Sequence, residues 1–384
     1  MKYRIILLAV ATLLMPRVFG RGLSRETAES VREKIISSWR ERVRLQYADM
    51  MWSGDASKLQ VSSSEATMPL WYAVYGNAPF GRRSLWISLH GGGGTTQEVN
   101  NQQWENQKRL YRPDEGVYVA PRAPWNAWNM WCKPEIDSLY ERLIECMVCT
   151  QGVDPDRVFL MGYSAGGDGV WRMATRMTDH FAAASMMAGH PGIVGLRNLL
   201  NLPYMIWCGE QDHAYNRARL CAAKGRELDC LQRIEPAGYV HETHIVPGKG
   251  HWMDREDAAA LRWMQRYTRN PYPKHVIWQQ EEEVRQHFYW ISVPPSERQK
   301  GRRVEVQIKD GNRVEITECD YSHLTLNLND QLLDLDRRVK VFYHGRQIYS
   351  GRVQRSESCL RRTMEERRDP SFCFPAQLTV TIGN

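Results

Sequence analysis

Short apolar runs that alternate with stretches of helical length constrain the fold of this chain most strongly. The runs cover residues 85–89, 117–120, 158–161, 182–184, 204–207 and 242–246, and helix candidates cover 134–149, 165–177, 214–230 and 254–267. Strands that alternate with helices of this length form βαβ units, in which helices cover both faces of a parallel sheet. The sequence therefore predicts an α/β fold with a mostly parallel sheet.

The pattern changes after a proline-bearing stretch at residues 269–273, which interrupts a helix. Apolar residues then recur with period two, in segments at 304–308, 313–317, 324–328, 339–343 and 378–382. We expect a small β-sandwich-like domain there. The predicted domains are an N-terminal helical segment at 21–67, an α/β domain at 68–270 and a β-rich domain at 275–384.

Composition excludes several classes of protein. The 384 residues are 42% hydrophobic and 25% charged, and they include 14 Trp and 17 Tyr. A chain of this length and aromatic content can bury a large core, so disorder, collagen and coiled coil are excluded as its main state. The net charge of +7 is spread along the sequence and forms no basic arm. We therefore expect no nucleic-acid partner.

The N-terminus has the pattern of an export signal. Lys2 and Arg4 precede an apolar run at 5–15, which has the length of a signal-peptide core and is too short to span a bilayer. We expect residues 1–20 to be a signal peptide and the protein to be periplasmic or secreted. The alternative is an N-terminal anchor that is not cleaved. No later stretch reads as a stable membrane span.

The nine cysteines are an odd number, so at least one has no disulfide partner within the chain. A C-x-x-C in the helix candidate at 134–149 is predicted to pack in the core. Cys221 with Cys230, and Cys359 with Cys373, have spacings that a disulfide can close in an oxidising compartment. Both pairings stay open on sequence alone.

The motif Gly162-Tyr163-Ser164-Ala165-Gly166 is the sharpest local signal of function. It follows one predicted strand directly and precedes a predicted helix. A nucleophile on such a turn needs small neighbours, because the backbone is strained and the helix passes close to the sheet. We predict that Ser164 is an exposed nucleophile.

Four consecutive glycines follow His90 at the end of the strand at 85–89. Glycine N–H groups face no side-chain obstruction, which suits the stabilisation of a developing oxyanion. We predict that Gly92 donates from this loop, with Gly93 as the alternative, and that the N–H of Ala165 donates with it. The run lacks the Lys and Ser/Thr ending of a phosphate-binding P-loop.

A serine nucleophile needs a base and a group that orients this base. Asp212 follows the strand at 204–207, and His251 follows the strand at 242–246. The chain order Ser, Asp, His is that of the α/β-hydrolase arrangement. The alternatives are Glu210 as the acid and His213, His241 or His244 as the base.

Over residues of about 70–268, these motifs resemble the α/β-hydrolase superfamily. Within it they are similar to secreted polyhydroxybutyrate depolymerases, feruloyl-esterase-like enzymes and the catalytic domains of prolyl oligopeptidases. The resemblance implies an α/β-hydrolase fold, with Ser164 as nucleophile, His251 as base and then acid, and Asp212 as its orienter. The sequence departs from depolymerases at Gly92, where they often carry a cysteine. This departure leaves the substrate open.

Trp125, Trp128 and Trp131 follow the strand at 117–120, where a loop of the catalytic face belongs. Aromatic rings suit a platform for a sugar, an aryl acyl group or an apolar peptide side chain. We expect these tryptophans either to bind substrate or to pack beneath the loop.

The sequence thus predicts an exported serine hydrolase that cleaves a carboxylic ester through an acyl-enzyme, with no cofactor and no metal. A serine peptidase of prolyl-oligopeptidase type is the alternative, because the same triad cleaves amides. A non-catalytic binding or surface protein on a hydrolase scaffold is the alternative from another class. The expected partner is a small-molecule or polymer-derived ester, or a peptide, and the oligomeric state stays open.

Overall fold

The structure, a computed structural model, describes residues 22–48 and 59–383. The predicted signal peptide at 1–20 lies outside the described residues. Within them, no helix combines the length and the apolar character needed to cross a bilayer.

An eight-stranded sheet organises the first part of the chain. Its strands are β1 (Gln60–Ser62), β2 (Thr67–Tyr75), β3 (Arg83–Leu89), β4 (Gly116–Pro121), β5 (Val153–Tyr163), β6 (Ala183–Met187), β7 (Tyr204–Gly209) and β8 (His241–Val246). They lie in the order β1-β2-β4-β3-β5-β6-β7-β8. Strands β3 to β8 are parallel, and β1 and β2 extend one edge in antiparallel pairing. The six predicted strands are β3 to β8, so the predicted parallel α/β sheet is confirmed.

Helices cover both faces of this sheet. They are α1 (Arg25–Gln46), α2 (Gln97–Leu110), α3 (Ile136–Thr150), α4 (Ala165–Arg176), α5 (Arg217–Ile234) and α6 (Ala259–Met264). Side chains alternate along β3: Leu85 and Ile87 lie in one apolar core with residues of α1, α3, α4 and α5, whereas Trp86 lies in a second core with α6. Burial on both faces explains why the parallel strands are continuous apolar runs.

Two helices begin later than the sequence predicts, and the backbone shows why. Tyr215 and Asn216 have φ of 55° and 58°, so α5 begins at Arg217 and not at residue 214. Asp254 and Arg255 also have positive φ, and α6 begins only after a single 3₁₀ turn. Left-handed residues cannot continue a right-handed helix. Both pairs of left-handed residues lie in loops at the carboxyl ends of β7 and β8.

The C-terminal part is built from two sheets. The strands are β9 (His275–Gln279), β10 (His287–Phe288), β11 (Ile291–Ser292), β12 (Arg303–Lys309), β13 (Arg313–Cys319), β14 (His323–Leu328), β15 (Val339–Tyr343), β16 (Arg346–Gly351) and β17 (Ala376–Thr381). Four of them form the sheet β10-β11-β14-β17, and five form the sheet β16-β15-β13-β12-β9. Both sheets contribute to one apolar core, which agrees with the predicted β-sandwich-like architecture. The structure adds a helix that the sequence analysis did not predict, α7 (Glu357–Arg367).

Buried ion pairs join the two parts. Arg269, which is 5% exposed, lies 2.6 Å from Asp156 of β5 and 2.7 Å from Asp369 after α7. Arg367 of α7 lies 2.5 Å from Asp179, which follows α4. Removing one partner of such a buried pair leaves an uncompensated charge, so these contacts hold the β-rich part in a fixed position. The predicted domain limits at 270 and 275 stay a prediction.

Neither of the two cysteine pairings that the sequence left open is a disulfide in the described residues. Cys221 and Cys230 lie on the same helix, where a rise of about 1.5 Å per residue places them about 13 Å apart, beyond the reach of a disulfide. Cys359 and Cys373 are both buried and are not bonded to each other. The C-x-x-C at Cys146 and Cys149 packs in the apolar core, as predicted.

Candidate active site

Ser164 lies on a tight turn between β5 and α4. Its φ of 57° and ψ of −122° fall outside the regions that side-chain-bearing residues usually adopt. Glycines make the turn possible: a Cβ on Gly162 would lie 2.4 Å from the carbonyl oxygen of Gly166, and one on Gly166 would lie 2.1 Å from that of Leu89. The Ser164 N–H donates to the carbonyl of Met187 in the neighbouring strand at 2.9 Å. The side chain therefore projects from the carboxyl edge of the sheet.

Ser164, His251 and Asp212 form a continuous hydrogen-bonded chain. Nε2 of His251 lies 2.9 Å from Oγ of Ser164, and Nδ1 lies 2.7 Å from Oδ2 of Asp212. A carboxylate accepts only, so Nδ1 carries the proton and Nε2 is free to accept the serine proton. The side chain of Asp212 is 1% exposed, whereas that of His251 is 43% exposed. The buried carboxylate orients a base that substrate can reach.

The alternative acid and bases do not join this chain. Glu210 is exposed and accepts the Gly248 N–H at 2.9 Å, so it shapes the loop before His251 without contacting the imidazole. The three alternative bases lie elsewhere: His241 bonds Asp229, His244 stacks on Trp207 and bonds Glu242, and His213 is exposed.

Two supporting residues were not predicted. Nη1 of Arg217 lies 3.4 Å from Oδ1 of Asp212, the oxygen that does not face His251. The hydroxyl of Tyr163 donates to the carbonyl of His251 at 2.6 Å and accepts the N–H of Met253 at 3.2 Å. Tyr163 is one of the two variable positions of the Gly162–Gly166 motif, and Arg217 is the first residue of a helix. Neither position carried a signal in the sequence.

The glycine loop after β3 lies against the serine turn. A Cβ on Gly91 would be 3.2 Å from Cβ of Ser164. The Gly93 N–H donates to Oδ1 of Asn100 at 2.9 Å, so Gly93, the alternative oxyanion donor, is already engaged. Within residues 22–48 and 59–383, the Gly92 N–H has no acceptor. Ala165 begins α4, so no preceding helical turn accepts its N–H.

His90 and Asn100 fix the conformation of this loop. Nε2 of His90 accepts the Ala123 N–H at 3.2 Å, so the proton is on Nδ1, which donates to the carbonyl of Gly91 at 2.6 Å. In a trans peptide the C=O and N–H point in opposite directions. The Gly92 N–H therefore points away from His90. Asn100 holds the next two peptide units, because it accepts the Gly93 N–H and also donates to the Gly93 carbonyl at 3.0 Å.

Burial keeps the His90 ring neutral. Desolvation, with the nearby guanidinium of Arg122 adding to it, lowers the pKa of His90 to about 3, against a smaller opposing effect of its hydrogen bond to Gly91. A charged imidazolium would have no lone pair for the Ala123 N–H. The loop geometry therefore depends on the neutral form.

The three predicted tryptophans occupy three different environments. Trp131 is 1% exposed and packs in the core, where Nε1 donates to the His90 carbonyl at 2.9 Å, so the expectation that it binds substrate is wrong. Trp125 is half-buried, with Nζ of Lys133 4.8 Å from its ring centroid. Trp128 is 66% exposed and lies on the glycine loop. Only Trp128 presents a free ring.

One group of carboxylates among the described residues has the spacing of a metal site. Asp330, Asp334 and Asp336 have oxygens within 4.8 Å of one another, and they lie in the β-rich part. Arg355 lies 2.5 Å from Asp330 and 2.7 Å from Asp336, so a guanidinium already neutralises two of the three.

Comparisons with known proteins give the following. No family model matches the sequence, and no curated protein matches it. Solved structures of esterases and serine hydrolases align with the chain. A thermostable esterase aligns at 18% identity over 55% of this chain and 62% of its own, with a TM-score of 0.41. Acetyl xylan esterase from Aspergillus awamori aligns at 12% identity over 54% of this chain and 98% of its own, with a TM-score of 0.37.

Fluorophosphonate-binding serine hydrolase F from Staphylococcus aureus aligns at 15% identity over 54% of this chain and 96% of its own, with a TM-score of 0.38. At these identities, the chemistry of this chain has to follow from its own site. The order of the eight strands, the strand-to-helix turn at Ser164 and the positions of Asp212 and His251 after β7 and β8 are those of the α/β-hydrolase fold.

Proposed function

We propose that this protein hydrolyses carboxylic esters through an acyl-enzyme formed on Ser164. The observation that carries the proposal is the hydrogen-bonded chain from Ser164 through His251 to the buried Asp212. A serine hydroxyl is a weak nucleophile unless a base accepts its proton, and this geometry supplies the base in the required tautomer.

In the acylation step, Oγ of Ser164 attacks the ester carbonyl carbon while Nε2 of His251 accepts the hydroxyl proton. The carboxylate of Asp212 stabilises the imidazolium that results and stays ionised itself. When the tetrahedral intermediate collapses, the bond to the alcohol oxygen breaks and His251 returns the proton to that oxygen. The alcohol then leaves, and Ser164 is acylated.

In deacylation, a water molecule takes the place of the alcohol. His251 accepts a proton from the water, whose oxygen attacks the acyl carbon. The bond between the acyl carbon and Oγ of Ser164 then breaks, and His251 returns the proton to Oγ. The products are a carboxylic acid and the regenerated serine.

The negative charge on the carbonyl oxygen of both intermediates needs fixed donors. We assign this role to the N–H groups of Gly92 and Ala165. Among the described residues the Gly92 N–H has no acceptor, and it is directed away from His90; Ala165 is at the positive N-terminus of α4. Donors that are oriented before reaction stabilise the transition state without reorganisation.

The test is turnover of para-nitrophenyl acetate by the purified protein and two variants. Ser164→Ala and His251→Ala should each lower kcat by about four orders of magnitude or more, because the three residues act as a unit. Unchanged circular dichroism and thermal melts would show that the variants fold. Turnover by Ser164→Ala close to that of the parent would refute the proposal.

We also propose that the enzyme acts outside the cytoplasm, on the basis of the charged and apolar pattern of residues 1–20. N-terminal sequencing of protein recovered from the periplasm or the medium tests this. A mature chain that begins near Gly20 is the expected result, and full-length protein retained in the cytoplasm would contradict it.

A further inference from the structure

We propose that Trp128 and Tyr215 form a binding subsite for an aryl group of the ester substrate, an inference that rests on the proposed function of Ser164. The two side chains are 66% and 63% exposed, and their ring centroids are 6.5 Å apart with an interplanar angle of 64°. They come from different loops, after β4 and after β7, and meet at the carboxyl edge of the sheet. Tyr215 carried no functional signal in the sequence.

The glycine loop holds Trp128 flat. A Cβ on Gly94 would lie 2.5 Å from Nε1 of the indole, and one on Gly93 would lie 3.2 Å from Cε3. One face of the ring system therefore rests on bare backbone, which is possible only because these positions are glycine. The opposite face is open. An indole fixed on one face and free on the other is a stacking surface that loses little conformational entropy when a ligand binds.

The backbone and a buried guanidinium hold Tyr215. Its φ of 55° is followed by a φ of 58° at Asn216, and a non-glycine residue in the left-handed region is uncommon. The guanidinium carbon of Arg217 lies 5.0 Å from the centroid of the tyrosine ring. The same guanidinium contacts Asp212. Arg217 thus connects the catalytic acid to the exposed ring. Residues held in sparsely populated backbone conformations, such as Tyr215 and Asn216, are typical of functional sites.

The subsite lies close to the nucleophile. Gly91 contacts Ser164, and three residues of extended chain, from Gly91 to Gly94, span at most about 10 Å. The exposed face of Trp128 is an aromatic surface. Aromatic rings prefer edge-to-face and offset-stacked contacts with one another. A phenyl ring carried a few bonds from the ester carbonyl can therefore extend from Ser164 toward Trp128. We therefore assign an aryl ester as the preferred substrate class.

The kinetic test uses two matched pairs of esters that differ only by a phenyl ring. Methyl hydrocinnamate and methyl propanoate place the ring on the acyl side, and benzyl acetate and methyl acetate place it on the alcohol side. Trp128→Ala and Tyr215→Ala should each lower kcat/KM about three- to tenfold for the phenyl member of one pair, and leave the ring-free members within twofold. Trp128→Phe keeps a ring and should recover most of the loss. Which pair responds identifies the side on which the ring binds.

Phe80→Ala is the matched control. Phe80 is 55% exposed and lies beside Gly152, at the amino end of β5 and away from Ser164. It should change neither member of either pair. Equal losses for phenyl and ring-free esters in Trp128→Ala and Tyr215→Ala, or no loss for any ester, would overturn the proposal.

A binding test separates this inference from the proposed function. Benzylacetone, a ketone that carries the same phenyl ring, should bind to the Ser164→Ala protein in calorimetry, and butanone should bind far more weakly. Adding Trp128→Ala should weaken benzylacetone binding about three- to tenfold. Binding that does not change on removal of Trp128 would contradict the subsite. A protein that binds benzylacetone through Trp128 but hydrolyses no ester would contradict only the proposed catalysis.

Discussion

Nδ1 of His90 lies 2.6 Å from the carbonyl oxygen of Gly91, and this bond fixes the direction of the peptide unit whose other end is the Gly92 N–H. Asn100 holds the next two peptide units, because its Oδ1 accepts the Gly93 N–H and its Nδ2 donates to the Gly93 carbonyl. The proposed oxyanion donor is thus a backbone group held from both sides by buried side chains. Preorganisation of this kind is what makes such donors effective.

Asn100→Ala should lower kcat for an acetyl ester by about tenfold or more, with a smaller change in KM. The substitution removes the hydrogen bonds of Asn100 to the N–H and the carbonyl of Gly93, so the loop no longer holds Gly92 in position. The effect should stay below the loss of about 10²–10³ that follows removal of a donor itself. Gln102→Ala, at an exposed position of the same helix, is the control and should be silent. An unchanged kcat in Asn100→Ala would remove Asn100 from the account.

The stability of the protein should depend on the protonation of His90. Its pKa is lowered to about 3 in the folded protein, whereas an unfolded histidine titrates near about 6.5. Between these values the unfolded chain binds a proton that the folded chain does not, so the free energy of unfolding falls as pH falls. The slope reaches about 1.4 kcal/mol per pH unit for this one group.

Urea unfolding of the parent and of His90→Asn, from about pH 7 to about pH 4, measures this slope. His287 has a similarly lowered pKa of about 3 and contributes to both proteins, so the difference between the two slopes isolates His90. The parent should lose stability more steeply. Parallel curves would show that His90 is not held neutral by the fold.

The identity of the acid can be tested by two conservative changes. Asp212→Asn should lower kcat by about two to four orders of magnitude, because an amide favours the wrong tautomer of His251. Glu210→Gln should leave kcat within a few fold, since the Glu210 carboxylate accepts the Gly248 N–H and, within the described part of the chain, has no bond to His251. If the two effects were exchanged, Glu210 would be the acid.

Gly166→Ala should destabilise the protein by about 1–3 kcal/mol even though alanine favours helix. A Cβ there would lie 2.1 Å from the carbonyl oxygen of Leu89, so α4 or β3 must move. Gly250→Ala is the control, because a Cβ at Gly250 meets nothing within 4 Å. Chemical denaturation compares the free energies of unfolding of the two variants. Equal values would show that the turn at Ser164 accommodates a Cβ at residue 166.

Periodicity predicted β3 to β8 because both faces of each strand are buried, which leaves a continuous apolar run. It did not predict β1 and β2, which pair antiparallel at the edge of the sheet. The spacing of functional residues after strand ends placed Ser164, Asp212 and His251 together, because carboxyl ends of parallel strands share one edge. Asn100 and Arg217 could not be found in this way, since both lie within helices and act through contacts that only the fold creates.

The tryptophans show the same limit. Trp125, Trp128 and Trp131 have identical chemistry and similar spacing, and the sequence cannot distinguish a ring that packs from a ring that is exposed. The structure separates them by what lies beneath each one: the apolar core for Trp131 and the glycine loop for Trp128. Tyr215 is positioned by a left-handed turn, and no local sequence pattern predicts such a turn at a non-glycine residue.

If His251 activates Ser164 as a nucleophile, a fluorophosphonate should modify this serine covalently, and the site of modification is the most direct measurement. The parent protein should acquire one adduct, located on Ser164 by mass spectrometry of its peptides. Labelling should be absent in Ser164→Ala and strongly slowed in His251→Ala, because the hydroxyl then lacks its base. An unmodified Ser164 in the folded parent protein, or labelling that proceeds equally fast without His251, would contradict the account.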